Sequence, residues 1–380
     1  MASLASSWTL ESYAAHYGEV SGDKVINGLQ VQHEDRVQFM AYLQIWDAGK
    51  QNGFQCGGTL ISMNTILTAA HCFLVEGGTD LIPGMNGYAF IGCLVSSDKD
   101  CESKYFDSNS IVMHPNFTIH TATKLPDNDL ALVFLGSNSQ KGWPIPLDAY
   151  DTGAADFGSG LILGWGMTQP TVPSPNFTLS TTLLYGEVYP VNLTTCNKTM
   201  NAVTPLKICS EGAKGTGGLM TDTCKGDSGG PLLLVAGPND FADPGLATAV
   251  YGFDHHQSDA QPFTGPLLAV TSYGPTSCGA PGKGFGVYTR TYPYIAWIDS
   301  VIAARSARRR VVAPQPVGVL VGGVATNQPP APPLGDPSAE RAATAPPLQS
   351  SVPSAATRRR RPAPWKEAAL VVFLLTKITL

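Results

Sequence analysis

Between residues 37 and 289 the apolar residues come in short runs, and this limits the fold more than any other property of the chain. The runs at 38–46, 59–62, 65–69, 88–92 and 130–135 are bounded by Gly, Pro, Asn and Asp. A second set follows at 160–164, 183–191, 231–235, 266–272 and 286–289. None sustains a three-to-four-residue period over the roughly twelve residues that a helix needs. Short strands separated by turn residues predict an all-β sandwich or barrel, and the two sets fit two barrels. One amphipathic helix is predicted at 292–305, where Tyr294, Ile295, Ile298, Val301 and Ile302 fall on one face.

Within the second set, Thr223-Cys224-Lys225-Gly226-Asp227-Ser228-Gly229-Gly230-Pro231-Leu232 places one serine in a run of glycines. Glycine lets the backbone enter positive φ and come close to a ligand. Gly226, Gly229 and Gly230 therefore predict a tight loop that presents the Ser228 hydroxyl beside backbone N–H groups. A nucleophilic serine needs a base within reach, and the base needs a third group to hold its tautomer. Leu67-Thr68-Ala69-Ala70-His71-Cys72 offers an imidazole at the end of an apolar strand, and Asp127-Asn128-Asp129-Leu130-Ala131-Leu132-Val133 offers a carboxylate just before another. Singly, each has a plainer reading: a glycine-rich turn, a core histidine, a strand-capping aspartate. Together they predict one triad.

The formal net charge of -5 is unevenly spread over the 380 residues. Residues 306–380 hold 10 basic and 3 acidic residues, which leaves 14 basic and 26 acidic residues in 1–305. An acidic body without a basic face argues against nucleic acid as a partner. Eight cysteines, and Asn-X-Ser/Thr sequons at Asn116, Asn176, Asn192 and Asn197, fit a secreted glycoprotein. Residues 1–8 show neither the basic start nor the apolar centre of a secretion signal, so that reading expects the true start upstream. Residues 1–24 read as a propeptide. The stretch 306–380 holds 12 of the 30 prolines and reads as an extended low-complexity tail. Its apolar run at 317–325 is too short to span a bilayer. The apolar end at 368–380 follows Ser354-Ala355-Ala356 in the layout of a lipid-anchor signal, but a basic spacer and Lys377 weigh against a membrane anchor.

The sequences around His71, Asp129 and Ser228, in that order along the chain, resemble the trypsin/chymotrypsin-like serine proteases over about residues 25–305. The resemblance implies two six-stranded antiparallel β-barrels with a closing C-terminal helix, a Ser-His-Asp triad, and no cofactor. It implies an oxyanion hole from the N–H groups of Gly226 and Ser228. Lys24-Val25-Ile26-Asn27-Gly28 looks like the family's activation site, where cleavage after Lys24 frees the Val25 amino group to pair with Asp227. Asp222, six residues before Ser228, matches the acidic base of the primary pocket in trypsin-like members, which select Arg or Lys. Ser272, Gly274 and Gly286 match the pocket walls, whereas Lys225 at its mouth departs from the pattern. The family's disulfides imply Cys56–Cys72, Cys196–Cys209 and Cys224–Cys278, and Cys93 and Cys101 lie outside those pairs and are expected to join each other. Sequence alone leaves the connectivity open.

The expected partners are protein or peptide substrates with Arg or Lys at the cleaved bond, and protein inhibitors, met by a monomer. No metal is expected. Asp98, Asp100 and Glu102 lack the spacing of a recognised calcium loop, and His255-His256 lack further ligands. The stretch 235–265 is an extra loop relative to compact family members. A different class of reading is a catalytically silent homologue that uses the barrel surface for binding. Such a protein commonly betrays itself by a missing triad residue, and here all three residue types are present.

Overall fold

The computed structural model describes residues 25–312 apart from 32–33, 50–52, 76–77, 152–156, 169–178, 202, 216–217 and 237–264. Lys24 and the propeptide reading, Asn176, His255, His256 and the tail beyond 312 lie outside the described residues, as does nearly all of the 235–265 loop.

The first half of the chain supplies β1 (Leu29–Gln30), β2 (Met40–Trp46), β3 (Gly53–Ser62), β4 (Thr65–Thr68), β5 (Asn86–Ile91), β6 (Glu102–Asp107), β7 (Ile111–Met113), β8 (Thr118–Ile119), β9 (Pro126–Asp127) and β10 (Ala131–Phe134). The second supplies β11 (Ser159–Gly164), β12 (Leu184–Val191), β13 (Lys207–Gly212), β14 (Pro231–Ala236), β15 (Leu267–Tyr273) and β16 (Gly286–Arg290). Among the described residues two helices join them, α1 (Leu193–Met200) and α2 (Ile295–Val312).

These strands build two main antiparallel sheets. One has the order β6-β5-β2-β3-β4-β10-β7, and β8 pairs with β9 apart from it. The other runs β1-β12-β11-β14-β15-β16-β13, and a further β12–β13 pairing closes six of its strands into a ring. The two predicted barrels are thus one closed six-stranded barrel and one half-barrel. The half-barrel ends on β6, whose Glu102-Ser103-Lys104-Tyr105 start is a charged, partly exposed edge that resists further pairing.

Burial follows the sequence pattern. β4, β10 and β11 are buried at every position, as continuous apolar runs between two packed layers should be. β5 alternates instead, with Gly87, Ala89 and Ile91 inward and Tyr88 exposed. Leu43, Leu60, Phe106 and Leu132 fill the first half, and Phe157, Ile162, Leu232 and Tyr288 fill the second. Trp165 meets Tyr42 edge to face at 5.6 Å, packing the two halves against each other.

The glycine-rich loop that carries Ser228 is latched to the half-barrel. Gly57 N donates to Ser228 O at 2.7 Å, and Thr68 Oγ1 donates to Gly57 O at 2.7 Å. Gly229 has φ +80°, and a Cβ there would lie 2.5 Å from Gly57 O and overlap Thr68 Oγ1. Only glycine serves at that position.

The first and last described elements exchange sides. β1 pairs with β12 of the closed barrel, while α2 returns to the half-barrel. Arg305 donates to Asn109 O at 2.6 Å and lies over the Phe134 ring, and Trp297 packs on His114 at 4.8 Å. The helix predicted at 292–305 begins as a 3-10 turn at Tyr292–Tyr294 and continues to Val312, because nothing in Ser306-Ala307-Arg308 breaks a helix. Strands β1, β6, β7, β8, β9 and β13 and helix α1 are additions to the sequence reading. Asn192 caps α1 by accepting from Thr194 N at 2.8 Å, and Cys196–Cys209 ties it to β13.

Gly229→Ala is expected to destabilise the fold by on the order of 3 kcal/mol, from strain at positive φ and overlap with Thr68. A shift in the urea unfolding midpoint measures this, and an unchanged midpoint would contradict the latch.

Candidate active site

His71 stands on a 3-10 turn, Ala70–Phe73, at the end of β4. Cys72 ties that turn to β3 through Cys56. Asp129 sits one residue before the buried segment that leads into β10 and is 0 % exposed. Its Oδ1 accepts from His71 N at 2.9 Å, and its Oδ2 lies 2.7 Å from His71 Nδ1. Both contacts fix the ring, one through the backbone and one through the side chain. Ser272 Oγ donates to the same Oδ2 at 2.6 Å. Burial pushes the Asp129 carboxyl up, but His71, Lys207 and the Ser272 hydroxyl together hold it down at about 2. It is a permanent anion at neutral pH.

Ser228 and His71 line one open cleft with Gly226, Lys225, Tyr42 and Gln55. No hydrogen bond joins Ser228 to His71 among the described residues, and such contacts commonly tighten only when substrate closes a site. Asp227 N donates to Cys224 O, Gly229 N to Thr271 O and Gly230 N to Asp227 O. The amides of Gly226 and Ser228 are left without a partner among the described residues. Gly226 reaches this geometry at φ +96°.

Behind the loop lie two further buried carboxylates. Asp227 accepts from Gly166 N at 2.7 Å and Cys224 N at 2.9 Å, and no cation lies against it among the described residues. Burial raises it to about 6 against those two bonds. Gly164 and Gly166 are obligatory beside it, since a Cβ on either would overlap the carboxylate. Val25 and Ile26 are buried in the packing of the second half, and Ile26 pairs as an isolated bridge with Asp222.

Asp222 is 7 % exposed and accepts from Gly279 N at 2.9 Å. Burial raises it to about 7, with backbone bonds from Gly279 and Thr223 opposing and Asp227 adding to the rise. With Gly286 it lines a small void of about 10 Å³, separate from the main cleft. Gly274 faces Gly286 across the backbone: a Cβ on Gly274 would lie 4.0 Å from the Gly286 Cα. Ser272 lines the cleft, and Lys225 is exposed at its edge.

All four cysteine pairs are formed: Cys56–Cys72, Cys93–Cys101, Cys196–Cys209 and Cys224–Cys278. Among the described residues no cluster of His, Cys, Asp or Glu could hold a metal ion, and Glu102 is spent on Lys104, Ser139 and the amides of Gln140 and Lys141. Asn116, Asn192 and Asn197 are exposed. Asn197 both donates to Val203 O and accepts from Val203 N, which leaves one amide hydrogen free of that pair. The sequence reading missed Lys207, which is buried behind Asp129, and took Ser272 only as a pocket wall. The signal for both was weak, a lysine at the head of a short apolar run and a serine at the end of another.

The raised Asp222 carboxyl has a consequence for stability. Its folded value lies above the unfolded one, so the folded protein takes up a proton as pH falls through about 7 and is relieved of a buried charge. Asp222→Asn removes that charge at every pH. The variant is expected to melt a few degrees above the parent at pH 8, with the gap narrowing towards pH 5. A gap independent of pH, read by calorimetry, would contradict the buried charge.

Known proteins are similar to this chain in sequence. The family model described as Trypsin matches residues 25–298. Melanization protease 1 of Drosophila melanogaster is 29% identical over 310 residues, covering 77% of this chain and 68% of that protein. A protein C activator of Agkistrodon piscivorus leucostoma is 27% identical over 300 residues, covering 76% and 91%. Kallikrein 1-related peptidase b11 of Mus musculus is 28% identical over 266 residues, covering 67% and 82%. With a barrel and a half-barrel meeting at a serine-bearing glycine loop, and with the family match across most of its length, the chain belongs to the trypsin family of serine proteases.

Proposed function

We propose that this protein is a secreted endopeptidase that hydrolyses peptide bonds after Arg or Lys. The observation that carries the reading is the His71–Asp129 pair, joined by two contacts, in one cleft with Ser228. Ser228 Oγ attacks the scissile carbonyl and its proton passes to His71 Nε2. Asp129 holds Nδ1–H and stabilises the imidazolium. The N–H groups of Gly226 and Ser228 receive the oxyanion. The C–N bond breaks as His71 returns the proton to the leaving amine, and water then releases the acyl group by the same steps.

Selectivity for basic residues rests on Asp222, a buried carboxylate with no cation beside it among the described residues. A substrate guanidinium or ammonium would supply that charge, between walls kept open by Gly274 and Gly286. For that side chain to reach Asp222, the small void must join the cleft. We assign the opening to activation. Cleavage after Lys24 gives Val25 a new ammonium, which enters beside Asp227 and supplies the cation that this carboxylate lacks. Residues 1–24 then form the propeptide, the protease domain expected over 25–305 extends to the end of α2 at Val312, and the rest of 306–380 forms the tail. Four disulfides and the sequons at Asn116, Asn176, Asn192 and Asn197 support export. Among the described residues no helix is long and apolar enough to cross a membrane. Substrate proteins and protein inhibitors are the partners, and the enzyme acts as a monomer without a cofactor.

Chromogenic peptides ending in Arg, Lys, Phe or Ala test this before and after processing at Lys24. Activity is expected only after processing and only with Arg and Lys, and Ser228→Ala is expected to lose about a thousandfold or more in kcat/KM. Activity in the unprocessed chain would overturn the activation step, and indifference to Arg and Lys would overturn the role of Asp222. Lys225 is expected to favour acidic residues flanking the cleaved bond. A peptide-library profile unchanged in Lys225→Gln would dismiss that preference.

A further inference from the structure

Lys207, at the head of β13, is 3 % exposed and is the one fully buried cation among the described residues. Its Nζ donates to Thr289 Oγ1 at 2.9 Å and to Ser272 Oγ at 3.3 Å. The strand register explains the first contact, because Lys207 and Thr289 are paired across β13 and β16. The second is directional. An ammonium can only donate, and the single Ser272 hydrogen is given to Asp129 Oδ2, so the Ser272 oxygen must receive from Lys207. A chain of donors therefore runs from Lys207 through Ser272 to Asp129, and His71 binds the same Asp129 oxygen from the other side.

We infer that Lys207 is a positioning residue of the catalytic centre: its ammonium, set behind Asp129 and joined to it through Ser272, holds the carboxylate ionised and opposes protonation of the His71 ring. The inference rests on the triad proposed above. A buried lysine is costly unless its charge is matched, and an apolar side chain would fill the same space without that cost. The match here is the triad carboxylate itself. Burial lowers the Lys207 ammonium, and Asp129 and Asp127 pull it back up.

The other titratable groups that face this centre leave the balance unaltered. Tyr273, whose ring lies 5.7 Å from Nζ, is raised to about 12 by burial and then by Asp127 and Asp129. Tyr294 is raised by the same causes. Both stay neutral, so the charges that remain are Lys207, Asp129, Asp127 and, during turnover, His71. A second cation beside Asp129 disfavours the imidazolium. Removing it moves the protonation of His71 to higher pH, and with it the acid limb of the activity profile. A unit charge at several ångströms within a protein site is worth about one pH unit.

The test uses the full chain processed after Lys24, with two neutral variants. Lys207→Met removes charge and donor, whereas Lys207→Gln keeps a donor for Ser272 without the charge. Thermal melts establish which variants are folded, and Lys207→Gln, which alters the charge and keeps a donor, suffices by itself. Two readouts are taken: NMR titration of the His71 ring, and kcat/KM against pH. In both variants the ring is expected to titrate about one pH unit higher. On the acid side kcat/KM is expected to fall about tenfold, with less than about a threefold change on the alkaline plateau. An unshifted ring titration in either folded variant overturns the inference, as does a lowered plateau without a shift, which would mark Lys207 as structural only. A shift in Lys207→Met but not in Lys207→Gln also overturns it, because the hydrogen bond and not the charge would then be acting. Because the ring titration does not depend on turnover, an inactive parent enzyme would refute the protease reading while still deciding the role of Lys207.

Discussion

A carboxylate without access to water must be met by donors on every side, and Asp129 is met from parts of the chain that are far apart in sequence. His71 belongs to the half-barrel and supplies both a backbone and a ring contact. Ser272 and Lys207 belong to the closed barrel and approach from behind. The site therefore exists only where the two halves are docked. The bond from Gly57 to the Ser228 carbonyl applies the same condition to the Ser228 loop. Packing between the halves and chemistry in the cleft are in this way one requirement, which is why a methyl group at Gly229 would disturb both.

Three buried aspartates show how far surroundings decide the behaviour of one residue type. Asp129 has the Lys207 ammonium, the His71 ring and the Ser272 hydroxyl beside it and is held at about 2. Asp222 and Asp227 are comparably buried but have mainly backbone amides, and burial lifts them to about 7 and about 6. Amides satisfy lone pairs without cancelling charge. In the proposed function the two missing cations come from different places, one from the substrate and one from the cut chain. Asp222 and Asp227 are then sensors of those events, whereas Asp129 is a fixed part of the machinery.

Much of this was legible in the sequence because it is written locally. Runs such as Leu67-Thr68-Ala69 and Leu130-Ala131-Leu132-Val133 announce buried strands by composition alone, and the glycines around Ser228 announce a loop that only glycine can make. β6 and β13 were not legible. Glu102-Ser103-Lys104 reads as a polar turn, and its strand character comes from pairing with β5. Lys207 stands at the head of a short apolar run, and its burial depends on Thr289, Ser272 and Asp129, all more than sixty residues away. Closure of the second barrel through β12 and β13 and the open edge of the first sheet are likewise properties of pairing, which residue types do not specify.

The exchange of the first and last described elements has a meaning for how the molecule comes into being. β1, made early, is a strand of the closed barrel, whose other strands follow more than a hundred residues later. The half-barrel, whose strands are complete by Phe134, waits for α2, the last described element of the chain. As the polypeptide emerges during synthesis, neither half can reach its final packing with only its own segment in hand. Contacts this distant in sequence make folding slow, and they leave sheet edges open until the end. The two halves are thereby bound to a common timetable, and a chain that stalls before α2 holds a half-barrel without its strap.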